Sequence, residues 1–100
     1  MQVHVGMNGL SISFHSLYTV EVERLITAYV MLNTELGHEG DSLEALKEVP
    51  EVTESYILYG VYDILVKVEA PSREELSRLI TRKIRGIENI RNTITFIVLD

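Results

Sequence analysis

The sequence predicts a single α+β domain with the element order βαββαβ. Three observations carry this: four apolar runs of strand composition, two helix-spaced runs that each follow a capping sequence, and a glycine-centred corner too short to hold a helix between the two middle strands. With 100 residues, 46% of them hydrophobic, the chain has material for one core and no room for a second domain.

Residues 1–24 sustain no apolar period. Val3-His4-Val5 and Leu10 to Phe14 alternate only briefly, so this stretch reads as an N-terminal extension. It is either weakly ordered or an added edge strand with Leu10, Ile12 and Phe14 on one face. From Leu25 the signal sharpens, because Ile26, Ala28, Val30 and Leu32 alternate with Thr27, Tyr29 and Met31 in a strand-forming run. A loop from Asn33 to Gly40 leads to the first helix, with Asp41 as its cap and Glu44 answering three residues on. Leu43, Leu46 and Val49 form its buried stripe, and Pro50 ends it.

The second strand runs from Val52 to Tyr59 and the third from Asp63 to Glu69, where Ala70-Pro71 stops the ladder. Ser72 with Glu75 makes the second capping box; Leu76, Leu79, Ile80 and Ile84 then recur at helical spacing, and Gly86 closes the helix. The fourth strand runs from Thr93 to Leu99. Right-handed crossovers fold this order into the ferredoxin-like arrangement, an antiparallel sheet of order 4-1-3-2 with both helices on one face.

If Ala28, Val30, Ile64, Val66, Ile94 and Phe96 face the helices, the open face keeps Tyr29, Met31, Ile57, Leu65, Ile97 and Leu99. So much apolar surface on a small domain marks a contact. The expectation is a homodimer, either sheet packed on sheet as an α/β sandwich or joined at the sheet edges, with a cofactor pocket at Tyr29 and Met31 as the weaker alternative.

Charge narrows the function. The net charge is -6, which gives no general attraction for phosphate backbones and argues against nucleic-acid binding by this chain alone. The basic cluster Arg78, Arg82, Lys83 and Arg85 reads as a solvated helix face pairing with acids of the same or a neighbouring subunit. There is no cysteine, no run approaching the roughly 20 apolar residues of a membrane span and no leader-like start, which together point to the cytoplasm. His4, His15 and His38 have no metal-ligand spacing, and no nucleophile elbow, phosphate loop or dinucleotide glycine pattern is present, so no metal and no cofactor is expected. An enzyme would have to rely on Tyr62 with Asp63, or His38 with Glu39, for proton transfer, and neither pair has an anion-stabilising neighbour in sequence.

The corner Tyr59-Gly60-Val61-Tyr62-Asp63 is the most informative stretch. Gly60 can take positive φ without steric penalty, and a hairpin there presents a phenol and a carboxylate that the turn itself does not need. The plain alternative is that Asp63 bonds nearby backbone and Tyr62 packs.

Taken together, Ala28-Tyr29-Val30, Leu43-Glu44-Ala45-Leu46, Val49-Pro50-Glu51-Val52, the Tyr59 to Asp63 corner, Val66-Lys67-Val68-Glu69-Ala70 and Thr93-Ile94-Thr95 resemble the effector-binding half of the Lrp/AsnC regulators, the RAM domain. The resemblance covers residues 25–100. It implies dimers, assembly of dimers into an octameric ring of four, and small amino-acid effectors held between dimers in transcription regulation of amino-acid metabolism. On this resemblance Gly60, Tyr62 and Asp63 contribute to the effector pocket, with Asp63 or backbone groups receiving the ammonium. Thr93 and Thr95 add hydroxyls, and Leu36 and His38 are candidates from a neighbouring loop. The 24 residues ahead of this region look too short and too glycine-rich for a helix-turn-helix. The expectation is therefore a stand-alone form that does not bind DNA itself and is not an enzyme, with co-assembly into a full-length Lrp/AsnC regulator as the alternative.

Overall fold

The computed structural model describes residues 24–99. The elements are β1 (Ile26–Thr34), α1 (Glu39–Lys47), β2 (Val52–Ile57), β3 (Ile64–Ala70), α2 (Arg73–Arg78) and β4 (Ile90–Ile97), and α2 continues through a π-helical turn over Leu79–Ile84. The sheet order is β2-β3-β1-β4 and all three pairings are antiparallel, as the sequence predicts. The stretch considered as an added edge strand, Leu10 to Phe14, lies outside the described residues.

Both helix ends follow from local chemistry. At α2 the Ser72 hydroxyl accepts from the Glu75 backbone N–H at 3.1 Å, as a capping box requires. At α1 the expected cap is wrong: the helix starts at Glu39 with His38 in the N-cap position, and Asp41 sits within its first turn. The cause is Gly37, whose φ of +85 lets the chain reverse early, so that the His38 N–H donates to the Glu35 carbonyl at 3.0 Å. Leu46 and Val49 are buried and Leu43 packs on the core, and the helix ends at Lys47, three residues before Pro50.

The π turn is registered by the Arg85 N–H donating to the Ile80 carbonyl at 2.9 Å, five residues back. Its wider turn lets Leu79 and Ile84, five apart, both reach the core, where an α-helix would point them about 140° apart. Gly86 ends the helix by close approach: a Cβ there would stand 2.8 Å from the Arg82 carbonyl oxygen.

Directly opposed residues share a face. The helix-covered face holds Ile57, Ile64, Leu32 and Thr93 in one row and Ser55, Val66, Val30 and Thr95 in the next. The open face holds Tyr56, Leu65, Met31 and Ile94 in one row and Glu54, Lys67, Tyr29 and Phe96 in the next. Tyr29, Met31 and Leu65 therefore lie on the expected side.

The rest of that assignment needs correction. Ile94 and Phe96 lie on the open face, because they pair with Met31 and Tyr29, and Ile97 lies on the helix side opposite Ala28. Ile57 pairs with buried Ile64 and also turns to the helix side; a register shift between Val52 and Glu54 inverts the alternation there. Leu99 lies past the end of β4 and is exposed.

Candidate functional site

The corner is held more firmly than a simple turn. The Leu58 N–H donates to the Asp63 carbonyl at 2.7 Å and closes the hairpin, while the Asp63 N–H donates to the Leu32 carbonyl at 2.9 Å and ties the corner to β1. The Asp63 side chain extends the same ladder: its Oδ2 accepts from the Thr34 backbone N–H at 2.8 Å and from Asn33 Nδ2 at 3.3 Å. Asn33 Nδ2 also donates to the Val61 carbonyl at 2.9 Å, and its Oδ1 accepts from Asn92 Nδ2 at 2.9 Å. A line of amides and one carboxylate thus runs from β4 through β1 into the corner, and it fixes the loop backbone without using its tip.

Asp63 consequently has a structural duty in addition to the ligand role expected of it. It answers a backbone N–H that β3 has ended too soon to reach. Gly60 also departs from expectation, because its φ lies outside the left-handed region and a Cβ built on it would meet nothing within 4 Å. Nothing among the described residues calls for glycine there. Tyr59 and Val61, on either side, are fully exposed apolar side chains, and Tyr62 is partly buried.

The loop before α1 reaches the same end of the sheet, since Thr34 is bonded to Asp63. The Glu35 N–H donates to the Asn89 carbonyl at 2.8 Å and Arg91 lies 3.7 Å from the Glu35 carboxylate, which ties this loop to the start of β4. Leu36 projects from it, 92% exposed, and His38 Nδ1 stands 3.4 Å from Asp41 Oδ2. The structure therefore gathers Gly60, Tyr62, Asp63, Leu36 and His38 at one end of the sheet.

The two threonines separate. Thr93 opposes Leu32 near that end but on the helix-covered side, and Thr95 opposes Val30 further along. Thr95 lines a groove between β4 and α2 with Leu76, Ile80 and Ile97, and takes no part in the corner of its own chain.

Asn33 and Asn92 are members of this hydrogen-bonded line that sequence reasoning missed. Asn33 falls in the expected loop, and its contact with Asn92 comes from β1 running on to Asn33 in register with β4. No local pattern carries that information.

On the open face, Lys67 lies 3.7 Å from Glu54 and 3.8 Å from Glu69, amid otherwise apolar neighbours. The Tyr56 hydroxyl donates to Glu54 at 3.0 Å, which raises the phenol's pKa above its ordinary value. Among the described residues, no group of three or more His, Cys, Asp or Glu gathers to hold a metal ion, and no helix is long and apolar enough to cross a membrane.

Comparison with known proteins adds the following. Residues 27–100 match the family model of the Lrp/AsnC ligand binding domain. The chain is 40% identical over 58 residues to the regulatory protein AsnC of Escherichia coli (strain K12), which covers 58% of this chain and 38% of that protein. It spans less than half the length of the curated relatives it matches. Among solved structures, it is similar to the hypothetical protein PHS023 from Pyrococcus horikoshii, with TM-score 0.71 and 40% identity over 74% of this chain and 89% of that one. It is also similar to a feast or famine regulatory protein from M. tuberculosis complexed with L-methionine, with TM-score 0.66 and 25% identity over 83% of this chain and 59% of that one.

Proposed function

The chain belongs to the Lrp/AsnC family of ligand-binding domains, and from that premise we propose that it is an oligomeric receptor for a small amino-acid effector, serving transcription regulation without reading DNA itself. In this reading, copies pair through the open sheet face and dimers meet at their corners, as far as a ring of four, with the effector between them. Binding and assembly are then linked: an effector whose contacts exist only in the assembled state favours that state.

The observation that carries the reading is the corner. Its backbone is held still by Asn92, Asn33 and Asp63, and its glycine answers to no demand among the described residues. A fixed, side-chain-free stretch beside exposed Tyr59 and Val61 suits the close approach of a second molecule. Asp63 Oδ2 is engaged by Thr34 and Asn33, so the effector's ammonium meets Oδ1 or the corner carbonyls. In this reading Thr93, at the same sheet end but on the helix-covered side, adds its hydroxyl.

The relatives are transcription regulators, and no catalytic role is proposed. His38 faces Asp41 rather than Glu39, and Asp63 is occupied by its own chain. The amino-acid receptor and DNA reader need not be one segment: among the described residues both helices have their apolar sides packed on the sheet.

Because Asp63 already has a structural duty, a second reading has support: a pure assembly module that joins a full-length Lrp/AsnC regulator. Calorimetry against the common amino acids separates the two. The receptor reading expects one of them to bind, and at about 100 times its Kd to raise stability by about 2.7 kcal/mol. Gly60→Ala then melts like the wild type without ligand but binds at least tenfold more weakly. If no amino acid binds the folded, assembled protein while a full-length regulator captures it, the assembly reading replaces the first.

A further inference from the structure

The helical layer is electrically divided. Over Glu39–Glu48, in and just beyond α1, there are four acids against one base, and over Arg73–Arg85, in α2 and its π turn, five bases against two acids. The imbalance is equal and opposite. Among the described residues, Lys47, Lys67, Lys83 and Arg91 each stand within 4.0 Å of a carboxylate. Arg78 and Arg82 do not, although they are exposed and line one depression on the surface of α2 together with Glu74.

Their neighbourhood explains why. The one acid that crosses to this helix, Glu51, is held by Lys83, whose Nζ lies 3.1 Å from Oε2 and 3.2 Å from Oε1. Ser77 and Thr81, which edge the arginine depression, also edge the apolar groove of about 210 Å³ beside β4. Charge and apolar surface therefore adjoin on α2. On the opposite-signed helix, Glu44, with Lys47 at 4.0 Å, and Glu48 stand four residues apart and exposed, the same spacing as Arg78 and Arg82.

We propose that the acidic face of α1 in one copy docks on the Arg78–Arg82 face of α2 in a second copy, in a head-to-tail contact keyed by charge. Complementary charge fixes orientation and speeds encounter, and the adjoining groove supplies apolar area to bury. The two patches are different surfaces of one chain, so each docked copy still offers a free patch of each sign. Such a contact closes into a ring or runs on as a filament. It uses neither the open sheet face nor the corner, so it stands independently of amino-acid binding. A second copy is favoured over a polyanion because the chain as a whole is acidic, at net charge -6, and carries the matching acids itself.

Sedimentation without amino acids tests this, in low salt and in about 1 M salt, where charges are screened beyond roughly 3 Å. The wild type should form its larger species in low salt and lose it in high salt. Arg78→Glu with Arg82→Glu should stay at the smaller species in low salt, as should Glu44→Arg with Glu48→Arg, and mixing the two charge-reversed proteins should restore the larger one. The milder pair Arg78→Gln with Arg82→Gln, checked by circular dichroism, guards against a folding defect and should lower the larger species at least tenfold in association constant. Assembly of the reversed or neutral variants identical to the wild type at both salts overturns the contact. So does retention of assembly together with loss of heparin binding, which would assign the arginines to a polyanion.

Discussion

The two faces of the sheet are built from similar residues and have opposite fates. On the helix-covered face Ala28, Val30, Leu32, Ile64, Val66 and Val68 are all at 0% exposure, whereas on the open face Phe96 remains 49% and Ile94 39% exposed. The first face is finished by the chain's own helices. The second carries Tyr29, Met31, Leu65, Ile94 and Phe96 and has no covering layer among the described residues, so its apolar surface calls for a partner. The lesson is that hydrophobic pattern reports burial without saying whose atoms do the burying.

Substitution should separate the faces most sharply. Leu32→Ala should cost about 2–5 kcal/mol of unfolding free energy, by lost transfer and a cavity, at every protein concentration. Leu65→Ala on the open face should instead cost mainly association, lowering the melting temperature in a way that vanishes on dilution to the dissociated subunit. Chemical denaturation over a range of protein concentrations measures both; equal, concentration-independent losses would erase the distinction between faces.

A smaller effect should mark the end of the sheet where the faces meet the corner. Asp63→Ala strips the buried Thr34 N–H of its acceptor and leaves Asn33 Nδ2 only the Val61 carbonyl, and a buried donor left unanswered costs about 1–3 kcal/mol. Amide exchange at Thr34 should rise in that variant while exchange at Val66, in the covered core, stays slow. Unchanged exchange at Thr34 would remove the clamp from the account.

The smallest effect concerns the pair that bridges α2 to the start of β2. The Glu51 carboxyl is held below its usual range, first by a backbone hydrogen bond and then by Lys83. A depressed carboxylate contributes stability above its unfolded pKa and loses it as pH falls through the folded one. The wild type should therefore lose, on acidification below about pH 4.5, a stabilisation that Glu51→Gln lacks, and at a surface pair the difference should stay below about 1 kcal/mol. Parallel acid profiles for the two proteins would show the pair to be inert.

How far the sequence could be read follows the same division. Element order, strand order, the Ser72–Glu75 cap and the buried stripe of α2 were legible because each rests on local spacing. β4 was misread because Ile94 and Phe96 are as apolar as core residues, while small Thr93 and Thr95 take the side beside α2. An uncovered apolar face looks like a core from sequence alone. The positive φ expected at Gly60 is found at Gly37, and the Asn92–Asn33–Asp63 line is invisible in sequence because it joins residues up to 59 positions apart through strand pairing.

The central claim is that the open face is completed by a second copy, and sedimentation equilibrium of the wild type beside Phe96→Glu tests it most directly. The wild type should be dimeric or larger, and Phe96→Glu should be a folded single subunit with unchanged far-ultraviolet circular dichroism. A wild type that stays a stable single subunit across the micromolar range, indistinguishable from the variant, would contradict it.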